Sequence, residues 1–380
     1  MNKKCLSVFF LLSFIRIDVT GQHISGAMQF ANPVIEKDSN RFSFSYSNLF
    51  YLRDYEYFNN IQTGYTLFGT WQYPRLTIQP NKWLRLEAGA LLQKEFGDKK
   101  LDKAWPMFSL QLQKKDLRFL FGALESNQSH QLIEPLMQYD QVIERPIEEG
   151  FQFKVNKKRF RSDFWLDWEV HQKINADYPE ELTGGLSTSI TITDPEKPLQ
   201  VKIPVQFIIP HKGGQLDTNL SVVSTVINHA EGLQVQWNNP DVLNWLNQIK
   251  AEGYYTGYNH YQNSNVYPYN KGHGLLANLS FQSKWNIFFL VTYWNGRHYI
   301  APKGGKLFQS ISSISTLPDY TEPKRKLLFL NFIYDKEILP DLFIDVRYTP
   351  YFDLLNHLTE HAFLVLLSYR KNFKLGTLKK

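Results

Sequence analysis

The chain has 380 residues, a formal net charge of +6 and a mean hydropathy of −0.36. This hydropathy excludes a bundle of membrane-spanning helices, and no stretch after the N-terminus holds the roughly 18 apolar residues that a spanning helix needs. Lys and Arg are spread along the chain without a basic block, so nucleic-acid binding is not expected. Aromatic residues make up 15%, which is typical of the girdles of transmembrane β-barrels, although large soluble β-proteins favour them too.

The first residues have the layout of a secretory signal peptide, predicted over Met1–Gly21. Lys3 and Lys4 supply the positive start, and Leu6–Ile15 forms an apolar core that is too short to span a membrane as a helix. The only cysteine, Cys5, precedes this core. Removal of the signal would leave no thiol, which excludes disulfides, cysteine-bound zinc and a cysteine nucleophile. The rest of the chain, 22–380, is expected to be a single outer-membrane barrel domain.

The clearest predicted element is a long hairpin from Gly64 to Glu95, turning at Pro80-Asn81-Lys82. In its return strand, apolar residues alternate with polar ones such as Arg85 and Glu87. A period of two places successive side chains on opposite faces of a strand. Both arms reach the roughly 9–11 residues that a tilted membrane-spanning strand needs.

The same unit recurs along the chain, with a first strand before it and a last strand that ends in an aromatic residue. The further strands are predicted at 41–47, 106–114, 117–125, 151–155, 160–170, 183–193, 199–208, 220–227, 233–237, 275–282, 285–294, 327–334, 342–348 and 362–373. Short turns alternate with long loops, as expected when one barrel end faces the periplasm and the other the outside. The predicted fold class is therefore all-β, a transmembrane antiparallel up-and-down β-barrel of about 16 strands.

Several connections are predicted from local signals. Residues 49–62 are expected to be a loop, His229–Gly232 a turn, and Gly253–Gly272 a polar loop. Pro240–Ile249 has helical spacing, which indicates a short helix. Pro204 lies inside a predicted strand, where it indicates an edge strand or a bulge.

Two segments resemble a known family. Ser129–Leu136 with Glu144–Gly150, and Tyr293–Gly296 with Ile300–Gly304, are similar to porin-like outer-membrane barrels of the Bacteroidetes. The chain departs from the usual barrel pattern because Lys374–Lys380 follow the aromatic end of the last strand. The resemblance implies a porin-like barrel and no particular substrate.

Charged residues on strand faces opposite apolar sets are the predicted channel lining. They are Arg85, Glu87, Arg118, Arg161, Asp163, Asp167, Glu169, Asp345 and Arg347. Charges on the lipid face would be costly, so these side chains are expected in the lumen. The alternative is that they form ion pairs within the wall and line no passage.

The long connection after residue 125 is a candidate constriction loop. Its titratable residues are His130, Glu134, Asp140, Glu144 and Arg145. A loop folded into the lumen would narrow the pore and set its charge preference. An ordinary external loop with solvated charges is the alternative.

The predicted function is a porin-like channel of the cell outer membrane for passive passage of small hydrophilic solutes. The alternative is a structural or partner-binding barrel subunit of an outer-membrane secretion or uptake complex. No serine-hydrolase elbow or histidine-pair metal motif is found, so no catalytic residue, metal or cofactor is predicted and the chain is not expected to be an enzyme. The expected partners are outer-membrane lipid and small hydrophilic solutes, together with either further copies of the chain or an outer-membrane complex partner, but not nucleic acid.

Overall fold

The computed structural model describes residues 23, 25–30, 33–214, 223–239, 243–261 and 266–378. The predicted signal peptide lies outside these residues. Among them, sixteen antiparallel strands form a closed barrel in which each strand pairs with its neighbours in the chain and the last pairs with the first. The predicted all-β, up-and-down barrel and its strand number are confirmed.

The strands are long enough to cross a bilayer and the helices are single turns. The strands are β1 Arg41–Glu56, β2 Thr66–Gln79, β3 Leu84–Glu95, β4 Lys103–Lys114, β5 Leu117–Ala123, β6 Glu149–Asn156, β7 Phe160–Val170, β8 Glu181–Thr191, β9 Leu199–Lys212, β10 Ser224–Asn238, β11 Leu246–His260, β12 Lys271–Ser283, β13 Ile287–Arg297, β14 Lys324–Leu339, β15 Leu342–Asp353 and β16 Leu358–Thr377. The helical turns are Gly26–Met28, Glu36–Asp38, Asn127–His130, α1 Gln141–Glu144 and Lys306–Phe308. None of the helices among the described residues is long and apolar enough to cross a membrane.

Alternation along each strand separates a lipid face from a lumen face, as β7 illustrates. Phe164 and Trp168 are exposed on the outside, whereas Asp163, Trp165 and Asp167 are buried toward the lumen. A period of two produces this separation without any continuous apolar run. The negative mean hydropathy is therefore compatible with an apolar outer belt.

The connections differ between the two barrel ends. Short turns such as 115–116 and 340–341 lie at one end, and the long connections 124–148 and 298–323 lie at the other. Short turns face the periplasm in bacterial outer-membrane barrels. We therefore call the end with the long connections the external end.

The lumen is filled by parts of the chain itself. We call 124–148 the lumen loop and 298–323 the rim loop. Both loops contribute to a buried apolar cluster with inward-facing strand residues. The N-terminal segment before β1 also lies inside, where the ring of Phe30 packs 4.1 Å from that of Trp71 and Arg75 donates to the Phe30 carbonyl oxygen at 3.0 Å. Described residues therefore occupy the barrel interior at both ends.

Several local predictions are wrong. Strand β1 continues to Glu56, through the first part of the predicted loop at 49–62. Strand β10 runs through the predicted turn at His229–Gly232. Residues 246–260 form β11 in place of a predicted helix and the start of a predicted loop, while 240–242 lie outside the described residues. The strand number is right because two predicted strands are one and one strand was missed.

Pro204 neither ends nor bulges its strand. Strand β9 pairs on both sides, and its register with β10 is the same before and after Pro204. The proline removes one backbone donor from the ladder, and the remaining pairs of a long barrel strand hold the register. The expectation of an edge strand or bulge was therefore wrong.

Candidate functional site

The predicted lining residues all lie on the lumen side of the barrel wall. Arg85 pairs with Glu87 at 3.0 Å, and Arg347 pairs with Asp345 at 2.6 Å. The others contact the segments that fill the lumen: Arg118 pairs with Glu125, Arg161 donates to the Ser129 carbonyl oxygen, Asp163 contacts His130, Asp167 pairs with Arg145 and Glu169 pairs with Lys303. Their placement is as expected from alternation, and a role in lining a passage stays a prediction.

The predicted constriction residues lie in the lumen loop, and His130 holds this loop to β7. Its Nε2 lies 2.8 Å from Glu148 Oε2 and its Nδ1 lies 3.1 Å from Asp163 Oδ2. The imidazole stacks on Trp165 with ring centroids 3.6 Å apart. Burial lowers the pKa of His130, but attraction by Glu148 and Asp163 outweighs burial and raises the pKa to about 9. An imidazolium between two carboxylates is therefore the favoured state at neutral pH.

The other loop residues face neighbouring charges. Asp140 lies 3.3 Å from Arg53, and Arg145 pairs with Asp167. Glu134 lines a central cavity of about 80 Å³ beside Arg53, and burial raises its pKa to about 7. Burial also raises the pKa of Glu144.

His130 is an unsuitable general base in this arrangement. It is fully buried, and both of its ring nitrogens face carboxylates. A general base needs a free nitrogen within hydrogen-bond reach of a substrate or water. We therefore assign His130 the role of holding the lumen loop.

The outside of the barrel carries a polar group that the sequence analysis missed. We call His229, Glu231, Tyr255 and His273 the outward cluster. His229 and Glu231 are two positions apart on β10 and share its outer face, with His229 Nδ1 2.9 Å from Glu231 Oε2. Their side chains are 24% and 50% exposed. The cluster is therefore open to whatever surrounds the barrel.

Two aromatic contacts extend the cluster across β11 and β12. The Tyr255 ring lies 6.3 Å from that of His229, and the His273 ring lies 6.3 Å from that of Tyr255 with an angle of 14° between their planes. These residues face outward because they occupy alternate, exposed positions in their strands. They form a continuous polar band across three strands.

A glycine makes room for the His229 ring. An added Cβ at Gly257, the residue opposite His229 on β11, would lie 2.0 Å from His229 Nε2. In the tautomer in which His229 Nδ1–H donates a hydrogen bond to Glu231 Oε2, the ring lone pair is on Nε2. The imidazole is therefore held by Glu231 on one side and packs on the backbone of Gly257 on the other.

The position of His229 along β10 gives its approximate depth in the membrane. His229 lies five positions from the external end of β10. At about 3.4 Å per residue and a tilt of about 40°, it lies about 13 Å below that end. A 15-residue strand exceeds an apolar belt of about 25 Å by about 7 Å on each side. His229 is therefore about 6 Å below the outer edge of the belt, in the outer half of the membrane.

A serine–histidine pair lies nearby on the other face of the same strands. Ser224 Oγ is 3.2 Å from His260 Nε2, and both residues are buried. Ser224 lines a cavity of about 240 Å³ near the external end. This pair has the spacing of a nucleophile and its base, but it faces the lumen.

One buried group has the composition of a metal site. Ligand atoms of His23, Asp335 and Asp345 lie within 4.8 Å of one another. Arg347 donates to both Asp345 oxygens, and the Gly26 N–H donates to Asp335 at 2.8 Å. These contacts describe an ion-pair network that holds the N-terminal segment in the lumen.

The outward cluster was missed because the sequence around it was interpreted as a turn at His229–Gly232. A signal was present, since His229 and Glu231 continue the alternating row that includes Leu233, Val235 and Trp237. A histidine and an acidic residue two positions apart in a lipid-facing row cost free energy of folding. Such residues are therefore candidates for a functional site.

Two solved structures of outer-membrane proteins are similar to this chain. A loop L8 deletion mutant of OmpT from Vibrio cholerae is 10% identical with a TM-score of 0.52, over 87% of this chain and 99% of that chain. OprD from Pseudomonas aeruginosa is 10% identical with a TM-score of 0.49, over 92% of this chain and 97% of that one. The first likeness shows that the fold is that of an outer-membrane β-barrel, which supports the predicted location.

No curated protein sequence matches the chain, and the narrower resemblance to barrels of the Bacteroidetes stays a prediction. A family model described as lipid A 3'-O-deacylase-type matches residues 34–378, which include all sixteen strands. This is a family of enzymes, so the expectation that the chain is not an enzyme is wrong. Because the match covers most of its length, the chain belongs to the lipid A 3'-O-deacylase-type family.

Proposed function

We propose that the protein hydrolyses an ester-linked acyl chain of a glycolipid in the outer leaflet, as the family description suggests for lipid A. The observation that carries this proposal is the His229–Glu231 pair, held at 2.9 Å on the outward face of β10. A substrate embedded in the membrane reaches the barrel from the side. The reaction centre must therefore face lipid.

The chemistry assigned to the pair is general base catalysis. His229 Nε2 takes a proton from water as the water oxygen attacks the ester carbonyl carbon, and Glu231 stabilises the resulting imidazolium. When the ester C–O bond breaks, His229 returns the proton to the leaving sugar oxygen. The products are a free fatty acid and a sugar hydroxyl. Tyr255 is placed beside His229 to donate a hydrogen bond to the substrate.

The test is mass spectrometry of lipid A incubated with the purified protein in detergent micelles. We expect loss of one ester-linked acyl chain with the wild-type protein. His229→Ala should lower the rate at least about 100-fold, since a general base contributes about 10²–10⁴. Glu231→Gln should lower it less, because the imidazole remains.

The matched control is His361→Ala. His361 is also an outward histidine, on β16, and packs against Tyr348 and Phe363. Removing it should leave the rate unchanged. An equal loss of rate in both variants would mean that the histidines act through barrel stability and would reject the proposed centre.

Ser224 offers a second candidate centre because its hydroxyl lies 3.2 Å from His260 Nε2. A fluorophosphonate probe reacts with an activated serine and distinguishes the two centres. Water activated by His229 predicts no labelling and full activity in Ser224→Ala. Labelling that disappears in Ser224→Ala, together with lost hydrolysis, would move the reaction centre to Ser224.

Passage of small hydrophilic solutes is a second candidate function, supported by the charged side chains that face the lumen. The filled lumen favours lipid hydrolysis over passage, and it also suits a partner-binding barrel. Conductance in planar bilayers tests passage. A stable open current from the wild-type protein would favour the channel.

A further inference from the structure

Basic residues crowd the outer face beside the outward cluster. We call Lys271, Arg297, Lys324 and Lys326 the cationic patch. They lie at the external ends of three adjacent strands, β12, β13 and β14. Lys271, Arg297 and Lys324 are exposed, and Lys326 is half-buried. The patch therefore occupies the headgroup level of the outer leaflet.

The pairing register brings like charges together. Arg297 lies directly opposite Lys324 on one side and His273 on the other. Lys326 is two positions from Lys324 on the same face of β14. Directly opposed like charges are destabilising in a sheet. In the part of the chain that the structure describes, no carboxylate forms an ion pair with these four residues, so the repulsion has no compensation from the protein.

The positive charge of the patch also affects the pKa of a neighbouring histidine, His298. Burial and the nearby Arg297 and His273 lower the pKa of His298, which follows β13 and stacks on Tyr269 at 4.2 Å. Both the opposition of Arg297 and Lys324 and the lowered pKa of His298 indicate that this part of the outer surface favours an anion. Lys and Arg side chains at such a site suit a phosphate group, which has several charged acceptor oxygens.

The patch is continuous with the proposed reaction centre. His273 stacks on Tyr255, and Tyr255 lies beside His229. From β10, which carries His229, to β13, which carries Arg297, are three strand spacings, or about 14 Å at about 4.8 Å each. One amphiphile can therefore contact the patch with its headgroup while an ester-linked chain reaches His229.

We propose that the cationic patch binds a phosphate group of the outer-leaflet glycolipid and so positions its acyl ester at His229. The identity of the lipid rests on the proposed function, whereas phosphate recognition rests on the patch alone. Arg297 and Lys324 are positioning residues. They hold the headgroup and do not touch the reacting atoms.

Binding of lipid A to the purified protein in nanodiscs tests the proposal without using hydrolysis. The probes are phosphorylated lipid A, enzymatically dephosphorylated lipid A and inorganic phosphate. The variant is R297Q/K324Q, and the control is Lys284→Gln. Lys284 is exposed in the short turn at the opposite end of the β12–β13 hairpin.

We expect the double variant to bind phosphorylated lipid A at least about 10-fold more weakly, with a smaller salt dependence, and to bind dephosphorylated lipid A as the wild type does. Lys284→Gln should match the wild type with both lipids. Equal binding of the two lipids by the wild type, or an unchanged double variant, would overturn the proposal. If inorganic phosphate binds as tightly as phosphorylated lipid A, the claim that the patch recognises the phosphate group of a lipid would be overturned.

The outcomes separate this inference from the proposed function. Selective binding of phosphorylated lipid A without any hydrolysis would support the patch and reject the enzyme. Where hydrolysis is present, the double variant should raise KM for phosphorylated lipid A and leave kcat unchanged. A fall in kcat with KM unchanged would contradict a positioning role.

Discussion

At the scale of single residues, substitutions at two glycines on the same face of β11 separate the effect of site geometry on activity from the effect of strand stability. An added Cβ at Gly257 would lie 2.0 Å from His229 Nε2, whereas at Gly253 no atom lies within 4 Å. Both positions face outward. Substitutions at Gly257 and Gly253 therefore test whether the position of the His229 imidazole affects activity.

We predict that Gly257→Ala displaces the His229 ring and lowers acyl release at least about 10-fold, because misplacement of a catalytic group by about 1 Å is costly. Gly253→Ala should retain the wild-type rate. Both variants should keep the heat resistance of the folded barrel on electrophoresis. A wild-type rate in Gly257→Ala would show that the observed seat of His229 is not required.

Residue placement could be predicted where alternation was unbroken. The charged residues of β7 and β15 lie on the lumen face because a period of two leaves no other face for them, and their role in lining a passage stays a prediction. His229 and Glu231 were missed because Gly232 resembles a turn residue. In this barrel Gly232 lies within β10, where a Cβ would lie 2.5 Å from the backbone oxygen of Gly253. Close approach of neighbouring backbone explains this glycine.

At the scale of elements, the lumen loop is held by a charge that titrates. The pKa of His130 in the folded protein is about 9, above its ordinary value of about 6.5. A group with a raised pKa stabilises the folded state fully below about pH 6.5, and the contribution is lost as pH rises through about 9. The contribution is on the order of 3 kcal/mol at most.

We therefore predict faster hydrogen exchange in the lumen loop at pH 10 than at pH 7, after correction for the intrinsic pH dependence of exchange. His130→Gln should exchange fast at both values. His171→Gln, at an exposed histidine in the loop after β7, should behave as the wild type. If the wild-type lumen loop is equally protected from exchange at pH 7 and pH 10 after the same correction, the role assigned to His130 would be contradicted.

The elements predicted best were long strands joined by short polar turns. Strand β7 was predicted with its observed bounds. Strand β11 was missed because the Tyr- and Asn-rich composition of 253–260 is typical of loops. In the barrel, those tyrosines divide between an outward row with Tyr255 and a buried row with Tyr254 and Tyr258. Pairing on both sides outweighs the local preference.

At the scale of the whole molecule, the closed barrel followed from alternation and turn asymmetry, but the filled lumen did not. Filling depends on contacts between segments far apart in the chain. Examples are the pairs of Arg145 with Asp167 and of Lys303 with Glu169, which hold both loops to β7. Such pairs cannot be identified from charge composition alone.

We predict that the wild-type barrel conducts little in planar bilayers because its own segments occupy the lumen. Replacing both Arg145 and Lys303 by Ala should release the two loops and produce open current steps. Lys158→Ala, which removes an exposed pair with Glu196 at the periplasmic end, should leave the current low. Large steady currents from the wild type would contradict a filled lumen.

In the proposed mechanism, the reaction centre faces the membrane and not the lumen. The most direct measurement compares acyl release from lipid A by His229→Gln and by His130→Gln, under one set of conditions at pH 7. We predict that His229→Gln loses activity and that His130→Gln retains it. Retained activity in His229→Gln, with loss in His130→Gln, would place the chemistry inside the barrel and contradict a membrane-facing reaction centre.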